Sequence, residues 1–474
     1  MKGTLSDASA AEACWLPLRE LGRRLRQGEL SPVALAEHCL QRLERLGPRY
    51  NAVVTLTRER ALAEARRAEA ELRAGRVRGP LHGIPYGAKD LLATAGGIPT
   101  SWGFAPLKAQ TFAADAAVIE RLQAAGAVLV AKLAMVELAG GMRYNQPNAS
   151  FTGPGINPWN TGAWTGGSSS GSGAAVAAGL VPFAIGTETH GSITGPSAMC
   201  GVSGLRPGFG LVSRRGAMAL SWTLDKIGPL CHGADDCGLV LEAIAGPDAG
   251  DPATLPMPFR DGPAQPPAGR WRLCLLAGEA ESDQPAVGEN FRAALEVLRP
   301  VADFTERALP PNPYHETVMT ILLAEAASVF AHLTETGQAA ALTAPETRAT
   351  PYALQSIPAA AYVTALRIRR RLHRELAAWL APFDAVVTPT LKKVAPPLDV
   401  PFSDYFGAHR RLAITSLGNL LGWPCVVLPT GFGERGLPTS MQFVGRPGGE
   451  RALLALARHY QQHTDWHTRR PPGV

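Results

Sequence analysis

The chain has 474 residues, 46% apolar and 18% charged, a balance that excludes a disordered polymer and fits two ordinary domains or one large α/β domain with a deep core. Its net charge of +6 comes from arginines spread along the sequence, so no nucleic-acid partner is expected. No apolar run approaches membrane-spanning length and the N-terminus lacks the apolar stretch of a secretory signal, so a cytoplasmic protein with no membrane partner is expected.

Residues 16–76 read as helices: "LRELGRRLRQGEL" and "SPVALAEHCLQRLERL" repeat apolar residues every three or four positions, with Ser31-Pro32 as a cap and first-turn proline. A charge-laced helix, "RERALAEARRAEAELRAG", stops at Gly75. Strands and helices then alternate. "HGIPYGAKD" is a strand entering a loop, "AAVIERLQAAG" a helix, "AVLVAKL" a buried strand and "ADDCGLVLEAIAG" a helix. The Pro- and Gly-rich stretch 248–270 is a long surface connection, because strand "WRLCLLAG" follows at once. Residues 313–382 are mostly helical, and the chain closes with strands in "FDAVVTPT", "WPCVVLPTG" and "SMQFVGR" and a last helix, "ERALLALARHYQQHT". The alternation points to one α/β layered fold. The seven cysteines are scattered and never spaced C-x-x-C, which argues for reduced thiols and against a disulfide framework or a structural zinc site.

The chemistry concentrates in "TGGSSSGSGAAVAAGLVPFAIGTETHGSITGPS", Thr165 to Ser197. A Ser/Gly linker is disfavoured because an Ala-rich helix starts immediately. A phosphate loop would need a lysine after the glycines. A nucleophile elbow, as in an α/β-hydrolase-like esterase, is met formally by Gly167-Ser168-Ser169-Ser170-Gly171 with Ser169 as nucleophile, yet the preceding "NPWNTGAWT" is a broken loop where a strand is required. The remaining reading uses both serine clusters. A helix over Ser172–Leu180 spans about 13 Å, and strand "VPFAI" runs back over about 16 Å. That brings "GTETHGSI" to the edge where "GGSSSG" began, so Ser168 and Ser192 can meet. Glycines there let backbone N–H groups crowd a bound oxyanion.

A serine nucleophile needs a base. His190 lies too close in sequence to Ser192 to aim its ring at the hydroxyl and fits the pocket mouth better. Lysine is rare, occurring only at Lys2, Lys89, Lys108, Lys132, Lys226, Lys392 and Lys393. Lys89 sits among apolar and glycine residues that would desolvate its ammonium and lower its pKa. Lys132, in "GAVLVAKLAM", offers the same argument, and local chemistry does not choose between them.

The stretch "GGSSSGSGAAVAAGLVPFAIGTETHGSITGPSAMCGVSGLRPGFGLVSRRG" resembles the signature of the amidase signature family, and the resemblance extends through "LHGIPYGAKDLLATAGG", "GPGINPWN", "LDKIGPL", "GWPCVVLPTGF" and "TDWHTRRPP". It implies an α/β amidase signature fold: a large, twisted, mostly parallel mixed β-sheet of about ten or eleven strands with helices on both faces. One domain over 1–474 is expected, with a helical segment at 1–76, the signature core at 77–240 and the remainder at 241–474. The resemblance further implies a Ser–cisSer–Lys triad of Ser192 (nucleophile), Ser168 (bridging, after a cis peptide bond) and Lys89 (base). The oxyanion hole would be built from the backbone of Thr189, His190, Gly191 and Ser192. Neither a metal nor an organic cofactor is implied.

The activity expected is hydrolysis of carboxamide C–N bonds through an acyl-enzyme, on aryl amides, esters or carbamates (a urethanase-type reaction), with water as the second substrate. Gly140, Gly141, Met142, Tyr144, Thr194 and Trp222 are the expected substrate contacts, with Trp102 and Phe104 as further aromatic candidates. Glu188, His190 and Thr194 depart from the family pattern, which commonly has Asp, Gly and Arg there. The alternative within the family is the A subunit of a tRNA-dependent amidotransferase, working with partner subunits. A homodimer is compatible with the family.

Overall fold

In the computed structural model, residues 12–266, 269–279, 281–407 and 412–474 are described. The reading of the first residues as lacking a secretory signal falls largely outside them. Ser31 caps the second helix as expected: its hydroxyl accepts from Ala34 N at 3.2 Å, Pro32 opens the helix, and the helix runs Pro32–Leu46. Helices Leu18–Arg26 and Arg58–Arg73 complete the N-terminal group. Between them lies a strand the sequence reading missed, β1 (Val53–Leu56), whose four residues are all half-buried.

Among the described residues eleven strands form one sheet, in the order β1-β3-β2-β4-β6-β5-β10-β11-β9-β7-β8. They are β2 (Pro85–Lys89), β3 (Val128–Leu133), β4 (Phe183–Glu188), β5 (Ser203–Arg206), β6 (Lys226–Cys231), β7 (Trp271–Leu276), β8 (Ala302–Arg307), β9 (Ala385–Pro389), β10 (Cys425–Phe432) and β11 (Pro438–Val444). The sheet is mixed and large, as expected, but it is not mostly parallel. Among these strands only β2–β3, β2–β4, β7–β8 and β7–β9 run parallel. The pairs β1–β3, β4–β6, β5–β6, β5–β10, β10–β11 and β9–β11 are antiparallel. A parallel neighbour needs a crossover of a dozen residues or more. The short connection Gly433–Leu437 allows β10 and β11 only a hairpin.

Alternate residues of one strand feed different cores, as the period of two requires. On β10, Val426 and Leu428 join a core with Phe183, Leu205, Leu241 and Leu453, whereas Cys425 and Val427 join one with Val318, Leu372 and Leu417. Helices therefore cover both faces. The second core is roofed by helices Tyr314–Val329, Ala359–Leu380 and Ala413–Leu420, from the region expected to be mostly helical and just beyond it. No helix among the described residues is long and apolar enough to cross a membrane.

Candidate active site

Strand β2 ends on Lys89, and burial of the whole strand carries its amine out of water. Lys89 Nζ lies 2.7 Å from Ser168 Oγ and 2.9 Å from Thr187 Oγ1. Desolvation pulls its pKa down from the ordinary 10.5 to about 7, against the opposing pull of Asp225 and Glu188. Lys132 has a different fate. It is buried as well, but its Nζ is 2.6 Å from Thr100 Oγ1 and pairs with Asp90 Oδ1 at 3.2 Å, away from the serines.

The two serine clusters meet. The helix after the first runs Ser170–Ala177, starting slightly earlier than expected, and β4 returns beside it. The backbones are close enough that a Cβ on Gly166 would lie 2.9 Å from Pro196 N, which only glycine avoids. Gly171 likewise lets the helix rest on Ala52 O, where a Cβ would approach to 2.4 Å. The Gly167–Ser168 peptide is cis. Ser169, in contrast, is buried and spent on the backbone: its Oγ donates to Thr187 O at 3.2 Å and accepts from Thr187 N at 3.3 Å. No strand leads into it: the described segment between β3 and its helix holds loop, a short 3₁₀ turn and isolated bridges at Ile156, Ala163 and Trp164, so the strand that a nucleophile elbow requires is not there.

Glu188, at the end of β4, organises the loop that follows. Its Oε2 accepts from Ile193 N, Thr194 N and Thr194 Oγ1 at 2.9, 2.8 and 3.0 Å. Its Oε1 accepts from Arg206 Nη1 at 2.7 Å and Asn419 Nδ2 at 2.9 Å. Burial alone would raise its pKa, but Arg206, Lys226 and these hydrogen bonds hold the carboxyl well below the usual range. At the loop's start, Thr189 Oγ1 donates to Asp225 Oδ1 at 2.6 Å.

A cavity of about 680 Å³ opens at the loop. Thr189, His190, Ser192, Gly140 and Tyr144 line it, with Leu220, Arg143, Glu346 and residues of helix Tyr314–Val329 opposite. Gly191 and Thr194 face a smaller box of about 50 Å³ walled by Tyr144, Trp164, Met199, Leu391 and Phe406. A second chamber of about 330 Å³ shares Ala139, Thr189 and Leu220 with the first and reaches Thr187, Asp225 and Lys226.

Several expected contacts land elsewhere. Trp222 lines this second chamber, not the one holding Ser192. Met142 is buried in the main core, and Gly141 packs against Leu220 and Phe330, so neither lines the cavity with Ser192. Phe104 is wholly buried, and Trp102 stacks on Phe112 with ring centroids 6.3 Å apart. Three groups escaped sequence reasoning: Thr187 beside the lysine, His315 in the main cavity, and Lys226, whose amine is buried and pulled to about 7 by desolvation and Arg206. The "LDKIGPL" segment carried a signal for Lys226. The other two carried none. Among the described residues no three His, Cys, Asp or Glu side chains are placed to hold a metal ion.

Residues 34–454 match the family model for amidases. The chain is 37% identical over 476 residues to the A subunit of glutamyl-tRNA(Gln) amidotransferase from Chloroflexus aggregans, covering 94% of this chain and 96% of that one. Its fold superposes on the native peptide amidase of Stenotrophomonas maltophilia with a TM-score of 0.81 at 33% identity, over 96% of this chain and 98% of that one. For 6-aminohexanoate cyclic dimer hydrolase the TM-score is 0.84 at 26% identity, over 97% and 99% of the two chains. With the family match running through both serine clusters and the buried lysine, the chain belongs to the amidase signature family and is an amidase, a hydrolase of carbon–nitrogen bonds.

Proposed function

We propose that the protein cleaves carboxamides through an acyl-enzyme on Ser192, with Lys89 as base and Ser168 as the hydroxyl between them. The observation that carries this reading is a wholly buried amine 2.7 Å from Ser168 Oγ, whose pKa desolvation draws down to about 7. Lys89 takes the Ser168 proton while Ser168 takes that of Ser192, and Ser192 Oγ bonds to the carbonyl carbon. The oxyanion is met by the backbone N–H groups of Thr189, His190, Gly191 and Ser192. Because Ile193 and Thr194 N–H are held by Glu188, the hole falls to the residues before them. Collapse breaks the C–N bond, the proton held on Lys89 passes back through Ser168 to the departing nitrogen, and water cleaves the ester by the same relay.

On the substrate side, Gly140 and Tyr144 frame the main cavity, and Thr194 and Tyr144 the apolar box. The box takes only a small apolar end of an acyl group, the larger cavity beside it takes the rest of a bulky or aromatic one, and the reading extends to esters and carbamates of that shape. A reducing, cytoplasmic setting is part of the proposal, because all seven cysteines are buried and unbridged. The near-full-length identity to the A subunits of amidotransferases favours a second reading, in which partner subunits are required.

The test uses the purified chain alone, with an aryl amide as substrate and a sulfonyl fluoride as label. A single adduct on Ser192, with loss of turnover, is expected. An adduct on Ser169, or undiminished turnover in fully treated enzyme, would overturn the nucleophile. Turnover that appears only on adding partner subunits would install the second reading, and exclusive use of short primary amides would refute the apolar acyl site.

A further inference from the structure

The loop carrying Ser192 is fastened at Glu188, at Thr189 and at a third point that the proton relay does not use. His190 Nε2 is 3.1 Å from Ser416 Oγ, and Ser416 Oγ is 3.4 Å from His315 Nδ1. The two imidazole centroids are 5.8 Å apart, inclined at 47°, and both rings line the cavity with Ser192. Ser416 and Asn419 are one turn apart on helix Ala413–Leu420 and so share a face. Asn419 holds Glu188, so a single helix face holds both the root and the middle of the loop. A hydroxyl has one proton to donate and lone pairs to accept, so Ser416 can donate to one imidazole while accepting from the other, which sets the two rings relative to each other.

We infer that Ser416 is a positioning residue: through His190 it sets the loop Thr189–Ser192, and through His315 it ties that setting to helix Tyr314–Val329 across the cavity. His315, Glu316 and Met319 of that helix face the same space as Ser192, so a substrate resting on them bears on the loop as well as on its own binding. Selection among substrates then registers in the chemical step, not only in affinity. The inference rests on Ser192 being the nucleophile.

Ser416→Ala removes the bridge and Ser416→Thr keeps the hydroxyl. With a small aryl amide, Ser416→Ala is expected to lower kcat about tenfold, the equivalent of one hydrogen bond, while KM stays within about twofold. Sulfonyl fluoride labelling of Ser192 should slow in parallel, Ser416→Thr should recover most of both, and adding His190→Ala to Ser416→Ala should cost little more. Unchanged kcat in Ser416→Ala, or a loss confined to KM, overturns the inference. Should Ser416→Ala fail to fold, the exposed His315→Ala cuts the outer half of the bridge. A smaller kcat loss at constant KM is then expected, and wild-type kinetics overturn the idea. A wild-type enzyme unlabelled at Ser192 would instead sink the nucleophile reading, so the two failures are told apart.

Discussion

Lys89 closes β2 and Lys132 lies one residue from the end of the adjacent β3, and both amines are buried. What separates them is the neighbour. Burial draws both amines below the ordinary lysine range, but at Lys132 a carboxylate 3.2 Å away opposes that pull, whereas Lys89 has hydroxyls beside it and the carboxylates of Asp225 and Glu188 farther off. The pH dependence follows. If the neutral amine is the base, kcat/KM rises with pH through a midpoint near 7. Lys226 titrates in the same range, so the profile alone does not assign the group. Lys226→Met should keep the rising limb, and Lys89→Met should abolish turnover. Stability gives an independent readout. The unfolded chain keeps its lysine proton up to about pH 10.5, whereas native Lys89 releases it above about 7, so between those values its share of native stability grows with pH. Lys89→Met should remove that share, visible as a shallower rise in the denaturation midpoint from pH 7 to 9. At this scale the sequence was partly readable. A rare lysine among glycines announced itself, while Ser416 and His315 lie 226 and 125 residues from His190 and acquire meaning only when two helices bring them to the loop.

The element on which the site turns is the segment from the end of β4 into helix Thr194–Cys200. Glu188 and Thr194, where the resemblance leads one to expect aspartate and arginine, bond to each other, and Arg206 from β5 and Asn419 hold the other carboxylate oxygen of Glu188. Glu188→Gln leaves Arg206 buried without its counter-charge, and losing one partner of a buried pair costs about 3–5 kcal/mol. A drop in thermal stability together with slower labelling of Ser192 is the expected result. A variant as stable and as reactive as wild type would show the turn is held otherwise. The elements themselves were unevenly legible. Apolar runs such as "AVLVAKL" and "WPCVVLPTG" read directly as strands. β1, β5, β6 and β8 did not: β1 and β5 are four residues long, β6 (KIGPLC) carries Gly228 and Pro229 at its centre, and β8 (ADFTER) is an edge strand with a mostly polar, exposed sequence. Parallel pairing was over-expected because alternating strands and helices imply crossovers, whereas the middle of this sheet pairs antiparallel, mostly between strands far apart in sequence.

Across the molecule, several of the arginines that give the chain its positive charge are met by acids drawn from far along the sequence. Arg60 pairs with Asp115, Arg214 with Asp251 and Arg458 with Asp261. The strand order also gives the first sixty residues a duty that their helical periodicity conceals. β1 closes one border of the sheet by covering β3, all of whose residues are buried. The residues just before it prop the serine helix, with Ala52 O lying against Gly171 and also accepting from Ala134 N at 2.9 Å. A clone begun after Leu56 would therefore bare a flat, greasy row of unpaired peptide groups, the kind of rim along which copies zip together. Light scattering should find such a fragment as large, inactive particles, and a monodisperse, working fragment would mean that the border is guarded by something else.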